Sequence, residues 1–248
     1  MCGRFTLTTI GVSLGRAFNL DDVPTQEARY NIAPTQLVAT VLNPSNDSER
    51  QWQLLRWGLI PSWAKDIKIG AKLINARAET VAEKPAFRSA FRRRRCLVVA
   101  DGFYEWRLQN GKKQPLYFQR KDKRPFAFAG LWERWKNPAG EIIASCTIIT
   151  TVANDIISPI HDRMPVILEP RDYDLWLHHQ VSQRELLQPL LIPYDAEKMS
   201  VYPVSTTVNN VRNNSPECII PVEIDHKSNS PYHSTYILNH HDGFYSKF

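Results

Sequence analysis

Cys2 stands directly behind the initiator methionine, in Met1-Cys2-Gly3-Arg4-Phe5. Initiator methionine is generally removed when the next side chain is small, and cysteine is small enough. Removal leaves an α-amine and a thiol on adjacent carbons. The amine has a pKa of roughly 8, so a useful fraction is neutral and nucleophilic at pH 7. The thiol, with a pKa of about 8.5, attacks as its thiolate. Together they can trap an aldehyde: the amine condenses to a Schiff base, and the sulfur then closes a five-membered thiazolidine ring. Position alone favours an incidental near-terminal cysteine, so the other residues have to decide.

Glu105 lies in Val98-Val99-Ala100-Asp101-Gly102-Phe103-Tyr104-Glu105-Trp106, a carboxylate among aromatics just after a strand and a turn. Such surroundings desolvate a carboxylate and raise its pKa towards neutrality, which suits proton shuttling. A strand glutamate facing water is the commoner case. His161, in Pro159-Ile160-His161-Asp162-Arg163-Met164-Pro165, sits between a short helix and a buried strand, and histidine titrates near neutral pH. His178-His179 and His240-His241 lack such a setting. Asn75 and Arg77 fall in Leu73-Ile74-Asn75-Ala76-Arg77-Ala78-Glu79. They read as a polar strand edge, or as an amide that orients a sugar or base beside an arginine that holds phosphate. Upstream, Trp57 reads as core, and Trp63 as a face on which a base can stack. The run Arg92 to Arg95 reads equally as a phosphate-facing patch and as a solvated helix end.

The elements that must position these residues follow from periodicity. Leu7, Ile10, Leu14 and Phe18 predict an amphipathic helix over 6–19, with a loop over 21–31. Strands are predicted at 37–42 and 52–59, joined by turn chemistry at 43–47. Residues 73–77 read as extended and 80–91 as helical. Further strands fall at 96–100, 103–107, 114–120, 126–134, 142–151, 166–168 and 202–205. Asp101-Gly102, Asn110-Gly111 and Asn137-Pro138-Ala139-Gly140 are turn signals. Helical turns are expected at 153–158, and helices at 171–179 and 183–191. Strands at hairpin spacing, with helices grouped between runs, indicate an α+β fold: one compact domain with a largely antiparallel, barrel-like β-sheet flanked by helices. The domain is expected to span 1–222, followed by a polar tail over 223–248.

The 248 residues, 43% hydrophobic and 23% charged, have an ordinary globular composition. No apolar run is long enough to span a membrane, and the N-terminus shows no basic-then-apolar signal pattern. A cytoplasmic location is expected. The four cysteines, Cys2, Cys96, Cys146 and Cys218, form no CxxC pair, so no metal or other cofactor is expected. The net charge of +6 permits a polyanion partner without demanding one.

Seven stretches together resemble one family, the SRAP proteins (SOS response-associated peptidase). They are Met1-Cys2-Gly3-Arg4-Phe5, Arg29-Tyr30-Asn31-Ile32-Ala33-Pro34, Trp57-Gly58-Leu59-Ile60-Pro61-Ser62-Trp63, Ile74-Asn75-Ala76-Arg77-Ala78-Glu79-Thr80, Ala100-Asp101-Gly102-Phe103-Tyr104-Glu105-Trp106, His161-Asp162-Arg163-Met164-Pro165 and Val208-Asn209-Asn210-Val211-Arg212. In that order they cover residues 1 to about 221. The resemblance implies a monomeric sensor of abasic sites in single-stranded DNA that shields the lesion by a covalent thiazolidine cross-link through Cys2. It implies that Asn75 orients the sugar and the amine, Glu105 moves protons, and His161 assists ring opening and reversal. Gly3, Arg4, Pro34, Trp63, Arg77 and Arg163 would contact the DNA strand, the arginines through phosphate. Ala64 stands where close relatives have a second aromatic, and the loop over 64–70 reads as longer, with Lys65 and Lys68 near the backbone. The alternatives are a thiol autopeptidase acting on its own N-terminus, and a non-covalent single-strand binder.

Overall fold

β-Branched and aromatic runs form most of the strands. In the computed structural model, which describes residues 2–23, 25–43, 49–109 and 111–223, they build two sheets. In chain order the elements begin with β1 (Phe5–Leu7), α1 (Val12–Phe18), β2 (Arg29–Ile32), β3 (Leu37–Leu42), β4 (Gln51–Trp57) and β5 (Asn75–Arg77). Then come α2 (Arg88–Arg93), β6 (Arg95–Ala100), β7 (Gly102–Gln109), β8 (Lys112–Arg120), β9 (Phe126–Lys136) and β10 (Ile142–Val152). The last are β11 (Arg163–Pro165), β12 (Ile167–Leu168), α3 (Tyr173–Leu177), α4 (Arg184–Leu187) and β13 (Met199–Pro203).

One set of strands closes on itself. β3 pairs antiparallel with β4 and with β6, β6 with β9, and β9 with β10, while β10 returns to β4 in parallel through Cys146 opposite Trp57. This five-strand ring is the expected barrel, with one parallel seam in an otherwise antiparallel wall. By register Val38, Leu55, Trp57, Val98, Phe128 and Ile148 share one face of its wall, and all are buried. The second sheet runs β13-β8-β7-β1-β2. Phe5 of β1 joins the two. It pairs with Phe103 of β7 and drives its ring edge-on into Trp57 and Phe128 of the barrel, with centroids 5.1 and 5.7 Å apart. The segment holding Cys2 is therefore anchored three residues downstream by a fully buried aromatic.

The structure corrects several sequence expectations. The helix expected over 6–19 begins only at Val12, because Thr6 and Leu7 pair with β7 and β2 instead. Gly11, at φ 59°, turns the chain out of the strand and into α1. Arg29 to Asn31, expected as loop, belong to β2. The helix expected over 80–91 is shorter and later, at α2; residues before it form turns, and Pro85 lies among them. Asp101-Gly102 is not a hairpin turn. It carries the chain from β6 in the barrel to β7 in the other sheet. The tail from 224 onward, most of the turn at 43–47, Asn110 and Met1 lie outside the described residues. Among the described residues, no helix is long and apolar enough to cross a membrane.

Candidate functional site

Cys2, Asn75 and Glu105 meet where the two sheets join, and the charge of Asp162, next to His161, reaches Glu105. The register of β1 against β7 continues past Phe5: the Tyr104 N–H donates to the Arg4 carbonyl at 3.0 Å, so the chain before Arg4 runs beside Glu105 and Trp106. Cys2 is fully buried there. β5 reaches the same place from the barrel. It pairs in parallel with the far half of β10, Ile148 opposite Asn75 and Thr150 opposite Arg77. Asn75 Nδ2 donates to the Cys2 carbonyl at 2.9 Å, which ties the N-terminal segment to the barrel wall. Asn75 Oδ1 is buried and has no hydrogen-bond partner among the described residues. The amide thus presents an unused acceptor beside Cys2.

Glu105 is 4% exposed. Burial raises its carboxyl pKa to about 7, opposed by the positive charge at the chain start and reinforced by Asp162. At neutral pH the group is poised between its two protonation states. Burial also pushes the Cys2 thiol far above its ordinary value, and the Glu105 charge adds to that. The two groups therefore feel one another, and the thiol keeps its proton until a base takes it.

His161 comes from the loop before β11, the other neighbour of β10. Its Nδ1 accepts from the Arg163 N–H at 2.9 Å, so the neutral ring carries its proton on Nε2. Burial lowers its pKa, although the Asp162 carboxylate lies 2.8 Å from Nδ1 and favours the charged form.

The residues expected to meet DNA divide into two groups. Trp63 is 59% exposed and Arg77 is exposed, with no side-chain hydrogen bond or ion pair among the described residues. Gly3 and Pro34 are half-buried. Arg4 and Arg163 are already engaged. Arg4 Nη1 donates to Asn31 Oδ1 and to the Val208 carbonyl at 2.8 Å, and its guanidinium lies 5.6 Å from the Trp106 ring centroid. Arg163 is 9% exposed and grips Glu79 in a two-pronged pair at 2.7 and 3.0 Å, with a third bond to the Thr150 carbonyl at 2.6 Å. Lys65 and Lys68 are exposed on the loop that carries Trp63. The Ala64 carbonyl accepts from the buried Trp135 indole at 2.7 Å.

Three residues of this neighbourhood received no role from sequence. Glu79 holds Arg163; the alternation of Asn75, Arg77 and Glu79 along an extended segment was the available signal. Asn31 places its Nδ2 2.7–3.1 Å from the carbonyls of Val208, Asn210 and Asn213, fixing the Val208–Arg212 stretch against Arg4. Asp101 is 6% exposed and accepts from the Thr6 hydroxyl and from both the N–H and hydroxyl groups of Thr8 and Thr9, at 2.5–3.1 Å. It clamps the chain just beyond β1, and only its turn-like neighbour Gly102 marked it in the sequence.

A family model described as SOS response associated peptidase (SRAP) matches residues 1–211. The chain belongs to this family. Among curated relatives it is 48% identical over 223 residues to the abasic site processing protein YoqW of Bacillus subtilis, covering 88% of this chain and 99% of that one. It is 37% identical to the abasic site processing protein HMCES of Gallus gallus, covering 74% of this chain and 61% of the relative. A solved structure of a protein from Bacteroides thetaiotaomicron superposes with a TM-score of 0.79 at 26% identity, over 90% of this chain and all of that one. The SRAP fold is thus shared by the whole barrel and the sheet that carries Cys2.

Proposed function

We propose that this SRAP protein processes abasic sites in single-stranded DNA, and that it does so by a covalent link through Cys2 once Met1 is removed. The observation that carries this reading is a buried carboxylate titrating near neutral pH beside the Cys2 thiol, with Asn75 bonded to the same cysteine. The names of the relatives, abasic site processing proteins, support the substrate.

An abasic deoxyribose equilibrates between a closed hemiacetal and an open form with an aldehyde at C1′. Ring opening takes a proton from the C1′ hydroxyl and returns one to O4′, work suited to His161 and Glu105. The Cys2 amine adds to C1′, and loss of water gives the imine. The thiol then adds across the C=N bond: sulfur bonds to C1′ and the proton it sheds ends on nitrogen. Because burial keeps the sulfur protonated, that transfer needs a nearby base, and the Glu105 carboxylate, whose charge already acts on the thiol, is suited to the task. Asn75, with its unfilled carbonyl oxygen, would orient the amine. Ring closure removes the imine required for β-elimination, so strand nicking is suppressed. Trp63, Pro34, Gly3 and Arg77 would meet the strand, with Arg4 and Arg163 behind them. The working unit is residues 1–222 acting as a monomer, with the tail over 223–248 dispensable for the chemistry.

Intact mass and a denaturing gel after incubation with single-stranded DNA bearing one abasic site test the reading. A heat-stable adduct is expected, absent in Cys2→Ser. No adduct with the mature protein, or a heat-stable adduct that persists in Cys2→Ser, would overturn it.

A further inference from the structure

The arginine run that ends α2 splits into two kinds of residue. Arg95 is 4% exposed and belongs to β6. Its guanidinium donates to the carbonyls of Trp176, Phe91, His178 and Val181 at 2.5–2.8 Å, so it is neither a patch nor a solvated helix end. Arg94 pairs with Glu133 at 2.6 Å and donates to the Ser89 hydroxyl oxygen at 3.1 Å. Arg92 and Arg93 are exposed, and with Arg88 they have no side-chain hydrogen bond or ion pair among the described residues.

Arg88, Ser89, Arg92 and Arg93 line an open recess of about 400 Å³ with no carboxylate in its wall. Local structure accounts for only part of this arrangement: Arg92 and Arg93 fall in the last turn of α2, where the helix dipole favours cations, and they also border a neighbouring recess with Glu83 and Glu185, whereas Arg88 has no such reason to be there. Arg88 and Arg92 are an i, i+4 like-charge pair on α2, which destabilises a helix by a few tenths of a kcal/mol. Arg88 also sits at the first position of α2, where the helix dipole disfavours a cation and no acidic residue offsets it. Ser89 accepts from Arg94, which leaves its own hydroxyl proton to donate into the recess. Three unpaired guanidinium groups and a hydroxyl donor around one recess fit an anion with several acceptor oxygens.

We infer that this recess is a second contact for the phosphodiester backbone of a nucleic-acid strand, outside the Cys2 site. The inference rests on the nucleic-acid reading above and goes beyond it by adding an attachment that does not depend on the lesion. The chain from Arg77 to Arg88 links the two places directly. Eleven residues bound their separation at roughly 36–40 Å, and the turns between 78 and 87 shorten it. A strand with one phosphate per ~3.4 Å along a helix axis, and more when extended, covers that span within about a dozen nucleotides.

The test is a salt titration of equilibrium binding to a long undamaged oligothymidylate. Wild type is compared with Arg88→Gln/Arg92→Gln/Arg93→Gln and with a control, Arg171→Gln/Lys121→Gln/Arg124→Gln, of equal charge change at other exposed positions. The slope of log K against log salt is expected to fall by about 2 in the recess variant, and by about 0.7 in Arg92→Gln alone. The control is expected to keep the wild-type slope. Cross-linking of a short abasic oligonucleotide is expected to match wild type in all three. An unchanged slope in the recess variant, or an equal fall in the control, overturns this inference while cross-linking stands. A wild type that neither cross-links nor binds the strand overturns both readings.

Discussion

Asp101 and Glu105 open and follow the same crossing between sheets, both are buried carboxylates, and their surroundings are opposite. Asp101 gathers five donors from Thr6, Thr8 and Thr9, so its lone pairs are filled. Glu105 sits where burial outweighs the favourable charge near it, and its pKa rises to about 7. A buried carboxylate with filled acceptors fixes geometry. One whose charge its surroundings oppose exchanges a proton near neutral pH. The first holds the N-terminal segment in register so that the second can work on it.

The largest expected effect is at the filled carboxylate. Asp101→Ala strands several buried donors and is expected to cost roughly 3–5 kcal/mol of stability, read as a lower urea midpoint. A loss below about 1 kcal/mol would erase the contrast. Glu105→Gln is expected to slow single-turnover cross-linking by about 10²–10⁴-fold with the fold intact. Its effect on stability has the other sign. The folded pKa lies above the ordinary value of 4.5, so between pH 4.5 and about 7 the folded chain holds a proton the unfolded chain has lost. Stability therefore falls as pH rises through that window and levels off above it. Glu105→Gln is expected to abolish this slope and to gain up to about 3 kcal/mol above pH 7, seen as a higher Tm. A variant less stable than wild type at every pH would contradict the assignment.

Smaller effects refine the comparison. Thr9→Val removes a side-chain donor to Asp101 and is expected to cost about 1.5 kcal/mol while leaving the pH dependence of cross-linking unchanged. Glu79→Gln loosens the grip on Arg163 and removes a negative charge beside Arg77. Under the proposed function it should tighten non-covalent strand binding by about three- to ten-fold at low salt, measured by fluorescence anisotropy. Weaker binding would mean that Glu79 is needed to aim Arg163 rather than to restrain it.

The same contrast marks what the sequence could disclose. Leu37 to Leu42, Cys96 to Ala100 and the hairpin from Phe103 to Arg120 were legible because apolar runs between turn residues are local signals. Barrel closure was not: Cys146 meets Trp57 across the chain, and nothing near either residue encodes the pairing. Leu7 and Ile10 kept helical spacing with Leu14 and Phe18, yet Leu7 is strand because β7 supplies backbone partners that a lone amphipathic turn cannot outweigh. Cys2, Asn75, Glu105 and His161 stood out by residue type and by resemblance; Asn75 bonds to Cys2, and the charge of Glu105 acts on its thiol. Glu79, Asn31 and Asp101 were missed because each acts by completing another group's hydrogen bonds, which no local pattern announces. Arg95 was misread for the same reason: its charge is visible in the sequence and its four carbonyl partners are not.

Gly58 and Gly70 press against each other at the base of the loop that carries Trp63. A Cβ on either would come within 2.6 Å of the other's carbonyl oxygen, and Gly58 holds φ at 124°, where other residues are strained. The loop is therefore pinched shut at its root by two bare backbones. Trp63 is mounted on a bracket rather than a tether, so an arriving base meets a ring whose backbone is already set, and little freedom is left to lose when the two stack.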